Sequence, residues 1–235
     1  MDKTLKEKIL YSDLITELIT TKKAIAIYLG GSRLEGLDHP ESDYDIVVLG
    51  LTDDIYCYKD RRLYIDDLKI QIQASNIMGY IELLNKPVET KHPWNIQYVL
   101  DFLLLTEDNL LYKSKTYIEL SKVFKEHSRD LTLFAFDKIF QMLNKKIEPP
   151  FCYYSKAIYA FYKYSFMVEE YLKNNTIVLP EEKRKELLNI KINKVIPKSI
   201  FTYYDNKPPI NYYSIGVEYQ KLYEEVKTYV QKSLH

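Results

Sequence analysis

Two aspartates, Asp43 and Asp45, stand two residues apart at the mouth of an apolar run, in the stretch LGGSRLEGLDHPESDYDIVV (residues 29–48). On an extended strand, side chains i and i+2 share a face, so the two carboxylates project together, roughly 6–7 Å apart. Like charges at that range repel each other unless a cation joins them. Carboxylate oxygens suit Mg²⁺ or Mn²⁺, hard cations that also take phosphate oxygens. Such ions can activate an attacking hydroxyl and steady a leaving pyrophosphate.

The residues upstream complete a phosphate-binding theme. Gly30, Gly31 and Ser32 follow an apolar run at 24–29. Glycines let a backbone approach a ligand closely, and backbone N–H groups with a serine hydroxyl can hold a triphosphate, helped by the dipole of a following helical turn. Arg33 can pair with phosphate oxygens. Asp-x-Asp alone is common turn chemistry, and Gly-Gly-Ser alone is weak. Their combination is specific: an apolar strand, Gly-Gly-Ser-Arg, a loop of about ten residues, Ser-Asp-x-Asp and a second apolar strand. His39 lies in that loop and is expected at the surface. His92-Pro93-Trp94 fits either a pocket cap that stacks a base or a packing anchor. No Ser-His-Asp, Cys-His or zinc-type arrangement is visible in the sequence.

Elements must hold these residues in place. Residues 2–20 place Leu5, Ile9, Leu14 and Leu18 at helical spacing. Residues 24–29 and 44–50 read as buried strands, 32–37 as one or two helical turns opened by Ser32, and 38–42 as loop around Pro40. LYIDDLKIQIQ (63–73) reads as a β-hairpin turning at Asp66-Asp67, with Ile70 and Ile72 facing one way and Gln71 and Gln73 the other. Helical patterns follow at 75–84, 96–105, 115–145, 153–173, 181–190 and 214–232, with a loop at 85–94, a break at Glu148-Pro149-Pro150 and irregular chain at 196–209. The sequence thus predicts an α/β (α+β) protein: a small mixed β-sheet core over residues 1–110, then a helical unit over 111–235. No flexible linker separates them, so the two halves are expected to pack tightly.

Composition sets the bounds. The chain has 235 residues, 46% of them hydrophobic, enough for a substantial core. Lys plus Arg and Asp plus Glu both number 33, so the whole chain offers no gross attraction to nucleic acid or anionic lipid. Cys57 and Cys152 lack metal-like spacing and read as reduced thiols of an intracellular protein. The first ten residues resemble no signal peptide, and no apolar run reaches the ~18 residues of a membrane span, so a cytoplasmic location and no membrane partner are expected. The 23 tyrosines fit either base stacking or an A/T-rich coding sequence.

Gly31-Ser32 followed by Asp43-Tyr44-Asp45 resembles the signature of the DNA polymerase β nucleotidyltransferase superfamily. The longer form, GSRLEGLDHPESDYDIVV, is similar to a bacterial and phage subgroup of predicted nucleotidyltransferases, and IELLNKPVE and FYKYSFMVEEYLKNNTIVLPEEKRKELLNIK are more loosely similar to its helical half. The resemblance implies a mixed sheet with helices and transfer of a nucleoside monophosphate from an NTP to a hydroxyl, with pyrophosphate released. The acceptor class is open among a small molecule, an RNA 3′ end and a protein side chain; zero net charge speaks against a large nucleic acid. The resemblance further implies that Gly31 and Ser32 hold the triphosphate of ATP or another NTP, which the residues themselves extend to Gly30 and Arg33, and that Asp43 and Asp45 bind Mg²⁺ or Mn²⁺. Lys156 and Lys163, seven residues apart on one helical face, read either as solvated lysines or as the cation that the helical half of such proteins often contributes to the nucleotide.

The sequence departs from that pattern at one position. The superfamily places a third acid on the next central strand, where this chain has Gln71. An amide oxygen can coordinate but carries no charge and cannot act as a base. Three alternatives stand at this point: Asp66 or Asp67 supplies the third acid, the site works with two carboxylates and Gln71, or the chain is a catalytically degenerate nucleotide-binding or regulatory protein.

Overall fold

A computed structural model describes residues 3–59, 61–79, 100–101, 104–144, 155–196 and 215–233. Its centre is a five-stranded sheet in the order β3-β4-β2-β1-β5, built from β1 (Ala24–Leu29), β2 (Tyr44–Gly50), β3 (Arg62–Ile65), β4 (Leu68–Asn76) and β5 (Leu110–Lys113). β2 and β4 run parallel; the other pairs are antiparallel. Every residue of β1 is buried, which is why AIAIYL is continuously apolar rather than alternating. β3 and β4 form the expected hairpin: Ile65 pairs with Leu68, and Asp66 takes the left-handed conformation (φ 51°) in the two-residue turn.

The alternation of the strands sorts the two faces of the sheet. Ile27, Leu29, Ile46, Val48, Ile70 and Ile72 pack on one side with Ile9 of α1 (Lys3–Leu10) and Ile15 and Leu18 of α2 (Asp13–Thr20). These two helices replace the single one expected over 2–20. The chain bends at Ser12, whose backbone is extended and whose hydroxyl donates to the Ile9 carbonyl at 2.7 Å. On the opposite face Ala26 and Leu49 join a cluster with helical side chains of the second half, and Tyr28 and Val47 pack with Leu34 and Leu110.

That half comprises α4 (Lys115–Glu126), α5 (Ser128–Asn144), α6 (Lys156–Asn174), α7 (Glu181–Asn193) and α8 (Ile215–Ser233), after the single turn α3 (Gly31–Leu34). The pattern expected as one helix over 115–145 is two, broken at His127, whose φ of −101° and ψ of 12° leave the helical region. Its imidazole Nε2 lies 3.2 Å from Glu225 and so ties the break to α8. In α6, residues 160–168 are all buried, so the helix is surrounded on every side, as expected for one apolar all round. Ser155 caps it by accepting from Ile158 N–H at 3.1 Å.

Two features were not expected from the sequence. β5 is a four-residue strand spanning residue 110, and Asp53–Tyr58 forms a 3₁₀ helix. The helix expected from residue 75 begins later, because β4 runs on through Asn76. Among the described residues, no helix is long and apolar enough to cross a membrane.

Candidate active site

The site lies where β1 ends, α3 turns and β2 begins. Gly30 takes an extended conformation, and its N–H donates to the Asp45 carbonyl at 2.9 Å, continuing the β1–β2 ladder. Gly31 then adopts φ +62°, a region closed to most side chains, and opens α3. A Cβ added to Gly31 would fall 2.4 Å from Asp45 Oδ2 and 3.3 Å from its Cγ. The glycine turn and the aspartate are therefore in direct contact, and only the missing methyl permits it. As the first residues of α3, Gly31 and Ser32 carry N–H groups with no intrahelical acceptor.

Arg33 is turned to the loop. Its guanidinium donates to Asp38 Oδ2 at 3.0 Å, to the Ser42 carbonyl at 2.8 Å and to the Asp43 carbonyl at 3.3 Å. It also stacks 3.7 Å above the Tyr44 ring. The side chain read as a phosphate partner thus clamps the segment that delivers Asp43. His39 is likewise engaged locally: its Nδ1 accepts from Glu41 N–H at 3.3 Å, and its own N–H donates to the Ser42 hydroxyl at 2.9 Å.

Asp43 is exposed and Asp45 half-buried at the start of β2. Burial raises the Asp45 carboxyl above its ordinary pKa, and the charge of Asp43 raises it further, while Lys191 pulls it down. In the parallel ladder Asp45 is the register partner of Gln71, on backbones about 5 Å apart with both side chains on the same face. Gln71 therefore occupies the position that the sequence pattern assigned it, beside the aspartate pair. Asp66 and Asp67 do not reach this point. They sit at the hairpin turn beyond Leu68, with Asp67 about 13 Å along the chain from Gln71, and Asp66 forms an ion pair of 2.6 Å with Lys8 of α1.

The helical half approaches the three residues that follow α3. Lys163, buried in α6, forms an ion pair with Glu35 at 2.5 Å, with side chains only 5% and 6% exposed. Arg184 of α7 lies over Gly36 (φ +67°): its Nη1 is 3.1 Å from where a Cβ would be. Lys191, two turns further along the same helix face, donates to the Leu37 carbonyl at 3.0 Å. Burial lowers the Lys191 pKa, and Lys163 adds to the effect, against the opposing pull of Glu35. Lys156 is exposed in the first turn of α6, about 10 Å along the helix from Lys163, and is not part of this group.

Asp101 completes the neighbourhood. It is 1% exposed, its Oδ2 accepts from Tyr28 Oη at 3.5 Å, and its Oδ1 has no hydrogen-bond partner among the described residues. Burial, with the charges of Glu35 and Asp45, holds its carboxyl well above the usual range, against Lys163 and the tyrosine hydrogen bond. Sequence reasoning did not single out Glu35, Asp101, Arg184 or Lys191. The seven-residue spacing of Arg184 and Lys191 was the one available signal for the last two. His92 and Trp94 lie outside the described residues.

The donor chemistry suits a divalent cation. Asp43 and Asp45 offer hard carboxylate oxygens, and Asp45 Oδ2 lies directly against the Gly31 turn. Among the described residues, however, no group of three or more His, Cys, Asp or Glu could hold a metal.

An α/β sheet with a glycine turn abutting one of two strand-mouth aspartates defines a nucleotidyltransferase-type core. The nucleotidyltransferase domain family matches residues 12–131, just over half the chain, from α2 into α5. The chain belongs to this family, within the polymerase β-like nucleotidyltransferase superfamily. No curated protein matches it.

Proposed function

We propose that the chain transfers a nucleoside monophosphate from an NTP to a hydroxyl acceptor and releases pyrophosphate, with the reacting phosphates held between the Gly30-Gly31-Ser32 turn and Asp43/Asp45. The observation that carries this reading is the fit of Gly31 against Asp45, which brings phosphate-binding backbone and metal-binding carboxylate into one place. The N–H groups of Gly31 and Ser32 bind phosphate oxygens, and Asp43 and Asp45 hold Mg²⁺ or Mn²⁺. When bound, the ion supplies Lewis-acid polarisation of the phosphoryl group. Arg33 keeps the 38–43 loop closed so that Asp43 stays beside Asp45. Gln71 accepts no proton at neutral pH, so the site favours an acceptor hydroxyl that needs little activation. The acceptor belongs to one of three classes: a small molecule, an RNA end or a protein side chain. A cytoplasmic setting fits all three.

Gln71 also favours a second reading, in which the chain binds nucleotide as a regulatory protein without turnover. One experiment separates the two. The protein is incubated with each α-labelled NTP, Mg²⁺ or Mn²⁺, and pools of metabolites, RNA and protein. Transfer of label that disappears in Asp43→Asn and Asp45→Asn supports the enzyme. Metal-dependent NTP binding with no transfer to any pool supports the binding protein.

A further inference from the structure

The charge around the aspartate pair has a consequence for how the cation enters. Among the described residues, two carboxylates, Asp43 and Asp45, stand at the site, and the β4 residue in register with Asp45 is the neutral amide of Gln71. The nearby Lys191 ammonium, anchored on the Leu37 carbonyl, acts on Asp45 as an opposing charge. Among the described residues, the other acids near the site are held apart from it, Glu35 by its ion pair with Lys163 and Asp101 by burial against Tyr28. Mg²⁺ gives up water reluctantly and is held by one or two carboxylates when substrate phosphates supply further oxygens.

We infer that this site takes one divalent cation rather than two, and takes it only as the metal–nucleotide complex. Two carboxylates offset by a lysine bind a free dication poorly against its hydration. The triphosphate supplies the missing negative charge and oxygen ligands, so nucleotide and ion arrive together. With the neutral amide of Gln71 beside Asp45, a second ion would lack a charged ligand from β4. The inference rests on the proposed nucleotide site and specifies its metal requirement.

The test counts Mn²⁺ by electron paramagnetic resonance on the full chain, alone and saturated in turn with the α,β-methylene analogues of ATP, GTP, CTP and UTP. The wild type is expected to bind no Mn²⁺ at micromolar concentration alone and one ion per chain in the ternary complex. Gln71→Asp is expected to bind two in the ternary complex and one without nucleotide, its folding checked by thermal melting. Lys191→Met keeps the count at one and tightens nucleotide-free Mn²⁺ binding by roughly tenfold, the loss of one nearby positive charge. Two ions per wild-type chain, or equally tight binding with and without nucleotide, would overturn the inference while leaving the nucleotide site standing. If no analogue binds with Mn²⁺, the site reading itself fails and takes the inference with it.

Discussion

Replacing Gly31 by alanine puts two costs on the site, and the structure separates them. The first is conformational. At φ +62° a Cβ meets the following carbonyl, which costs about 1–2 kcal/mol for an ordinary L-residue. The second is the contact with Asp45. The added methyl would lie 2.4 Å from Oδ2 and 3.3 Å from Cγ. An ordinary contact needs at least about 3.4 Å, so the carboxylate must retreat by about 1 Å. Asp45 Cβ, at 3.5 Å, is already in ordinary contact, so rotation about the side-chain bonds relieves the clash, but only by swinging the carboxylate away from its place against the turn. A 1 Å misplacement of a reacting group costs about 10²-fold in rate. Gly31→Ala is therefore expected to lose only about 1–2 kcal/mol in urea unfolding but about 100-fold in metal-dependent nucleotide binding or transfer. Gly30→Ala provides the contrast. Its φ of −110° tolerates a side chain, and the added methyl would strike the Val47 methyl at 2.7 Å rather than Asp45, so stability should fall at least as much as site function. Equal nucleotide affinity and turnover in wild type and Gly31→Ala would refute the reasoning.

Three further outcomes follow from the surrounding contacts. Lys163→Met strands the buried Glu35 charge and should cost about 3–5 kcal/mol in urea unfolding, most of it recovered in the Lys163→Met/Glu35→Gln double variant. Asp101 has a native pKa above its unfolded value, so its contribution to stability falls as pH rises from the unfolded value through the native one; Asp101→Asn should flatten the stability–pH curve across that window, measured by melting temperature from pH 4 to 8. Arg33→Met releases the clamp on the Asp38, Ser42 and Asp43 segment, so limited proteolysis should cut within 38–42 where the wild type resists, and a bound NTP should not restore resistance.

Much of the sheet and of the aspartate pair was legible because local chemistry dictated it. AIAIYL and the IVVL of β2 are continuous apolar runs because their strands are covered on both faces, and Asp66-Asp67 marks a two-residue turn by its own conformational preference. Register also followed from alternation: once Ile70 and Ile72 face the core, Gln71 must face the site. What sequence pattern missed was set by tertiary contact. β5 is only four residues long, and the β1 ladder rather than strong strand patterning makes it a strand. Lys163 reads as a solvated or phosphate-facing lysine on a helical wheel, yet α6 is buried all round and Glu35 claims the ammonium. Lys191 was hidden in a run of charges in α7, where only the docking of the helix against Leu37 distinguishes it from its neighbours. Arg33 was legible as a residue of the site but not in its direction, because the loop that it grips comes from later in the chain.

The central claim is that the Gly-Gly-Ser turn and the two aspartates form one metal-dependent nucleotide site. Isothermal titration of the full chain with each NTP, in Mg²⁺ and then in excess chelator, tests it most directly when repeated on Asp45→Asn. The account predicts saturable binding of at least one NTP in Mg²⁺, lost in chelator and weakened by about 100-fold in Asp45→Asn. The variant should melt at or above the wild-type temperature, because the half-buried charge is gone. Binding indifferent both to the metal and to Asp45→Asn would contradict it.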